Sequence, residues 1–184
     1  MKRKYGFDEA RELLRAVSRL TAPAGGAFVG MDVIAGFPGE TQAEFEWTAE
    51  ALAALPWSRL HVFPYSERAG TPAARLPGSV PPAERARRAR VLRELSLARL
   101  EGVYREALSA LAPAGRALSS VLLEGGVRGP DGTRNWISGY STNYLRALVR
   151  ADGPGIAENT IHATLSPSRI VVDREAGDVA FLVD

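Results

Sequence analysis

A chain of 184 residues, 46% hydrophobic and 24% charged, has the composition of roughly one or two globular domains and is too apolar to be disordered. Its formal net charge is only +2, so attraction to nucleic acid would have to come from local clusters of arginine and not from a global field. With no cysteine the sequence excludes disulfides, thiolate zinc sites and cysteine-held iron–sulfur clusters within itself, and its two histidines poorly support a Ser-His-Asp triad. No apolar run reaches the roughly 18 residues of a membrane-spanning helix, and Met1-Lys2-Arg3-Lys4-Tyr5 does not lead into an apolar signal segment. The expectation is a cytoplasmic protein with no membrane partner.

Residues 8–20 read as a helix, with Asp8 as N-cap and Leu13, Leu14, Val17 and Leu20 at helical spacing. Thr21-Ala22-Pro23-Ala24-Gly25-Gly26 ends it. Residues 27–35 follow as a strand, apolar at nearly every position except Asp32, as expected of a parallel strand covered on both faces. It breaks at Gly36-Phe37-Pro38-Gly39, after which Thr41 can cap a second helix carrying Phe45, Ala49, Leu52 and Leu55 at helical spacing. Glu40, Glu44 and Glu46 lie near that helix's positive end. A second strand, 60–63, breaks in turn into the loop 64–71. In open α/β sheets and barrels, ligands bind at such carboxyl ends of strands. Two βα turns in succession therefore suggest one piece of a ligand-binding α/β domain, and Gly78 with Pro81-Pro82 marks its boundary.

Residues 83–111 form one long helix with an apolar stripe of Leu97, Leu100, Tyr104, Leu108 and Leu111. Arg85, Arg87, Arg88, Arg90, Arg93, Arg99 and Arg105 crowd its other faces against Glu84, Glu94, Glu101 and Glu106. Two readings stay open: a solvated face laced with ion pairs, or a phosphate-facing surface, for which arginine is well suited. Beyond Pro113 and Gly115 the texture changes to short β-type runs at 118–123, 136–138, 144–149, 160–165, 170–172 and 179–183. Turns such as Gly129-Pro130-Asp131-Gly132 separate them, and the pattern suggests a small antiparallel barrel. Trp47 and Trp57 read as packing residues, and His61 and His162 as packing or surface residues and not ligands.

The Gly36-Phe37-Pro38-Gly39-Glu40 turn combines small residues with a proline-fixed backbone, which lets a ligand approach main-chain groups at a strand end. Asp32 and Ile34 share a strand face, so that face can offer one polar and one apolar contact. Asp32-Val33-Ile34-Ala35-Gly36-Phe37-Pro38-Gly39-Glu40-Thr41 resembles the adenosyl-contacting strand and loop of the radical-SAM methylthiotransferases. Met1-Lys2-Arg3-Lys4-Tyr5 resembles a segment internal to those enzymes, and residues 61–73 resemble their next strand. The form His61-Val62-Phe63-Pro64-Tyr65-Ser66 is similar to the branch acting on N6-threonylcarbamoyladenosine in tRNA. Gly139-Tyr140-Ser141-Thr142-Asn143-Tyr144-Leu145 resembles the signature of the RNA-binding TRAM domain.

The resemblance implies a fold of α/β plus all-β type: the C-terminal part of a radical-SAM (βα) barrel over 1–80, a basic linker helix over 81–114 and an OB-like TRAM β-barrel over 115–184. It implies S-adenosylmethionine and two [4Fe-4S] clusters as cofactors of the full-length family, tRNA as partner, and methylthiolation of C2 of the modified adenosine at position 37 of tRNA. The residues it assigns to S-adenosylmethionine are Asp32, Ile34, Gly36, Phe37, Pro38, Gly39, Glu40, Phe63, Pro64, Tyr65, Ser66 and Arg68. Asp32 stands where the wider radical-SAM Gly-x-Ile-x-Gly pattern has its first glycine. Those it assigns to RNA are Tyr140, Asn143, Tyr144, Arg146, Arg88 and Arg93, with Trp136 and Arg134 as weaker members. For Tyr140, Tyr144 and Arg146 the bland alternative is core packing and a solvated cation.

The cluster-binding cysteines of the family are missing, so the resemblance implies a C-terminal fragment that is non-catalytic alone, carries no catalytic residue of its own and holds no metal. An open sheet edge in residues 1–75, normally closed by the intact barrel, is expected to be a pairing site. The rival expectations are a free-standing RNA-binding module, and one subunit of a split enzyme whose partner bears the clusters.

Overall fold

A computed structural model describes residues 6–21, 27–111 and 117–183. The segment 1–5, the turn residues 22–26 and the expected helix stop at Pro113 and Gly115 lie outside the described residues. The chain has an α/β part followed by a small β part, and its internal contacts divide between Ser96 and Leu97. That division falls within the long helix, not at Pro81-Pro82.

The first unit is built on β1 (Gly30–Ala35) and β2 (Arg59–Pro64), which pair in parallel from Gly30 opposite Arg59 to Ala35 opposite Pro64. Alternation sends Met31, Val33 and Ala35 of β1, with Leu60 and Val62 of β2, into a core shared with Leu14 of α1 (Phe7–Thr21), Phe45 and Leu52 of α2 (Gln42–Ala53), and Ala89 and Leu92 of α3 (Pro82–Leu111). The opposite face of the pair stays open: Asp32, Ile34, His61 and Phe63 are exposed. The expectation of a strand covered on both faces is thus corrected to one covered on a single face, since all three helices supply their apolar residues to the same side.

Local chemistry sets the ends of these elements. Thr41 Oγ1 accepts the Glu44 N–H at 3.2 Å while the Glu44 carboxylate accepts the Thr41 N–H at 2.8 Å, a reciprocal capping box. Helix α1 begins one residue earlier than expected, so Asp8 lies inside its first turn and pairs with Arg11 at 2.8 Å instead of capping. Trp57 is buried and donates its Nε1–H to the Leu52 carbonyl at 2.6 Å, closing the end of α2. Trp47, expected in packing, is 55% exposed and touches only the edge of Phe7 among the described aromatic rings. The free edge of β2 is covered by α3: Ser96 Oγ accepts the Leu60 N–H at 2.9 Å, and Arg93 Nη2 donates to the Val62 carbonyl at 3.1 Å. The open edge expected in this region is therefore already occupied on its β2 side.

The second unit contains the C-terminal part of α3 and a six-stranded sheet in the order β6-β3-β4-β5-β8-β7. Its strands are β3 (Leu118–Val127), β4 (Trp136–Tyr140), β5 (Arg146–Arg150), β6 (Thr160–Leu165), β7 (Arg169–Asp173) and β8 (Asp178–Val183). The strand positions match the expected runs closely, but the sheet is mixed, because β5 and β8 run parallel where an antiparallel arrangement was expected. Strand β8 is buried on both faces: Ala180 and Leu182 pack with Trp136 and Leu148, and the Phe181 ring lies 4.9 Å from that of Tyr104 on α3. Trp136 is thereby a core residue, its Nε1–H bound to Asp131 at 2.9 Å, and no longer a candidate for RNA contact.

Candidate ligand-binding loops and nucleic-acid interface

At the carboxyl end of β1 the chain turns through Gly36, with φ of 76°, and Gly39, with φ of 89°. Any other residue at 36 would be strained and would also collide, since a Cβ there would lie 2.5 Å from Arg85 Cγ. The Gly36 N–H donates to the Glu40 carboxylate at 2.7 Å, and the Glu40 N–H returns to the Phe37 carbonyl at 2.9 Å, so the loop closes on itself. The Gly39 N–H donates to the Gly78 carbonyl at 2.8 Å. Next to it the Tyr65 N–H donates to the Ala35 carbonyl at 2.8 Å, carrying the parallel ladder past Pro64 into the second loop. Phe37 and Tyr65 meet edge to face with ring centroids 5.3 Å apart.

The structure brings the expected residues Asp32, Ile34 and Phe63 to one open face directly below this pair of loops, Ile34 being opposite Phe63 in register. Pro64, Ser66 and Arg68 are exposed, and Phe37, Pro38 and Tyr65 are half-buried. The Tyr65 hydroxyl is buried and has no hydrogen-bond partner among the described residues. Glu40, expected to contact a ligand, has its carboxylate engaged by the Gly36 N–H and by Arg88 Nη1, each at 2.7 Å.

Two arginines that the sequence reading placed on a helix face are central to this geometry. Arg88 Nε donates to Glu84 at 2.8 Å while its Nη1 reaches the Glu40 carboxylate and the Glu40 carbonyl. Its side chain is only 5% exposed, so Arg88 is corrected from a phosphate contact to an internal ion pair. Arg87 and Arg88 together hold the Glu84 carboxyl down at about 2. Arg85, one turn earlier, donates to the Val80 and Tyr65 carbonyls, to Ser79 and to Glu67, and its guanidinium lies 5.2 Å over the Tyr65 ring. The hydrogen bond and charge of Arg85 lower the Glu67 pKa. The partners that tie Arg85 and Arg88 to the loops, Tyr65, Glu67 and Glu40, lie 18 to 48 positions away and leave no local signal in the sequence. Arg93 keeps an exposed side chain beside its bond to β2.

In the second unit the candidate residues sit on the β4–β5 hairpin. Ser141 organises its turn: its N–H donates to the Leu145 carbonyl at 3.0 Å, its Oγ accepts the Leu145 N–H at 3.1 Å, and it donates to Asn143 Oδ1 at 2.6 Å. Tyr144 is held at φ of 62°, an uncommon conformation for a bulky residue, and is 70% exposed. Its ring centroid lies 6.2 Å from that of half-buried Tyr140. Leu122, opposite Tyr140 in register, and Ile161, opposite Leu122, extend this exposed apolar surface across β3 and β6; sequence reading missed both. Arg146 is corrected from a free cation to a paired one: its guanidinium binds Asp178 at 2.7 Å and Ser138 at 2.9 Å. Its backbone N–H donates to the Tyr104 hydroxyl at 2.6 Å, and burial raises the pKa of that hydroxyl.

The sequence has no cysteine, and among the described residues no group of three or more His, Asp or Glu side chains is placed to hold a metal ion. No helix of the described residues is long and apolar enough to cross a membrane.

No family model matches the chain. A threonylcarbamoyladenosine tRNA methylthiotransferase of Thermotoga maritima is 39% identical over 94 residues, covering 51% of this chain and 21% of that protein. Its counterpart in Rickettsia prowazekii is 54% identical over 65 residues, 35% of this chain and 15% of that protein. A tRNA-2-methylthio-N(6)-dimethylallyladenosine synthase of Chromobacterium violaceum is 41% identical over 95 residues, 52% of this chain and 21% of the relative. The chain thus spans between 15% and 21% of the length of these curated relatives.

Proposed function

We propose that this chain, similar over about half its length to tRNA methylthiotransferases, supplies the adenosyl-binding loops and an RNA-contacting surface of such an enzyme. The observation that carries the reading is the Gly36–Glu40 turn: two positive-φ glycines at the carboxyl end of a parallel strand, above the open Ile34 and Phe63 face. That arrangement suits a flat nucleoside laid on apolar side chains with its polar edge toward main-chain groups. S-adenosylmethionine provides the adenosyl radical and the methyl group of the family's chemistry; this chain's residues would bind and orient it. They offer no ligands for the two [4Fe-4S] clusters, which would need donors from outside this sequence, and the chain by itself is non-catalytic on this reading.

On the second unit we assign tRNA contact to Tyr140, Asn143 and Tyr144, where two tyrosine rings present faces on which unpaired bases can stack. Arg93, which lies on the first unit, is assigned separately as a phosphate contact. The His61-to-Ser66 form favours threonylcarbamoyladenosine as the modified base. A second reading, an RNA-binding module without catalysis or one subunit of a split enzyme, is favoured by the complete lack of cysteine. Gel-shift titration with a tRNA transcript, with and without S-adenosylhomocysteine, tests both. Retention of tRNA together with binding of the nucleoside supports the enzyme reading. Retention of tRNA alone supports the module, and failure to bind tRNA at low salt overturns both.

A further inference from the structure

Arg85 and Arg88 stand one turn apart at the start of α3, and both point their guanidinium groups into the strand-end loops. Arg88 bridges Glu84 on its own helix to Glu40, and the same Glu40 oxygen, Oε2, accepts the Gly36 N–H. A continuous chain of charge-assisted hydrogen bonds therefore runs from α3 to the backbone amide at the tip of β1. Arg85 does the same for the second loop, fixing the Tyr65 carbonyl and Glu67 while its stem packs where a Gly36 Cβ would sit. Both side chains are nearly inaccessible, 7% and 5% exposed, so neither is spare cationic surface.

We infer that Arg85 and Arg88 are positioning residues: they set the main-chain shape of the two loops that receive the adenosyl ligand, and Glu40 acts through Gly36 and not by touching the ligand. The inference rests on the proposed function for what the loops bind; the coupling of Arg88 to Gly36 stands on the geometry alone. The forked guanidinium is needed because Nε and Nη1 serve different carboxylates at once, which a single ammonium cannot do with the same geometry.

The test uses the whole chain, its proton–nitrogen correlation spectrum and S-adenosylhomocysteine as probe. Arg88→Gln is expected to move the Gly36 amide resonance upfield without ligand, because its acceptor loses the cation that orients it. It is also expected to weaken nucleoside binding at least about tenfold, with Arg88→Lys weaker by less. An Arg88→Gln protein that folds, keeps the Gly36 resonance in place and binds as tightly as the parent overturns the inference. If Arg88→Gln does not fold, Arg88→Lys and Glu40→Gln decide it by the same two readouts. If the parent chain itself fails to bind the nucleoside, the proposed function falls, and the Gly36 amide alone decides: displaced, the positioning holds; unmoved, it does not.

Discussion

Gly36 shows how much of this molecule depends on a missing side chain. Alanine there meets a positive φ and the stem of Arg85 together, so Gly36→Ala is expected to destabilise the first unit by about 1–3 kcal/mol, read by urea unfolding. Glu84 gives a pH dependence of defined sign. Its folded pKa is depressed from 4.5 to about 2, so the unfolded chain binds more protons between those values. The stabilisation is present above about pH 4.5 and is lost as pH falls through about 2, and Glu67, lowered by Arg85, acts in the same direction. Arg88→Gln is expected to flatten that acid limb in thermal melts taken across the range.

At the scale of elements, α3 is the busiest part of the fold. Its Ser96 and Arg93 satisfy the edge of β2, and further along Tyr104 accepts the Arg146 N–H from β5. Tyr104→Phe keeps the ring against Phe181 but removes that acceptor, and is expected to cost about 1–2 kcal/mol in chemical unfolding. Much of this layout was legible in the chain. The Thr41 cap, the Pro/Gly turns after the first two strands and the six β-type runs are local signals, each written in a few adjacent residues. What was not legible depends on distance. Arg88 and Glu40 are separated by 48 positions; the local sequence shows Glu84 one turn before Arg88 but nothing of the partner at Glu40. The parallel β5–β8 pairing is likewise a choice of neighbour that no local pattern encodes. Trp47 misled for a related reason: a large apolar side chain signals burial only if its helix face points inward.

For the molecule as a whole, the proposed function joins two kinds of surface in one chain. Stacking on Tyr140 and Tyr144 is expected to contribute about 1–3 kcal/mol per base, so alanine at either position should weaken tRNA binding by roughly 5- to 150-fold. Filter binding across a salt series is the check. Arg93→Gln should instead lower affinity evenly and reduce the slope against salt by about one. The central claim is that the loops at the carboxyl ends of β1 and β2 form an adenosyl-binding site. It is tested most directly by titrating the labelled chain with S-adenosylhomocysteine and following its backbone amides. The account expects saturable shifts concentrated at Gly36, Gly39, Glu40 and Tyr65, abolished by Gly36→Ala. Amides at these positions that stay fixed through millimolar ligand would contradict it.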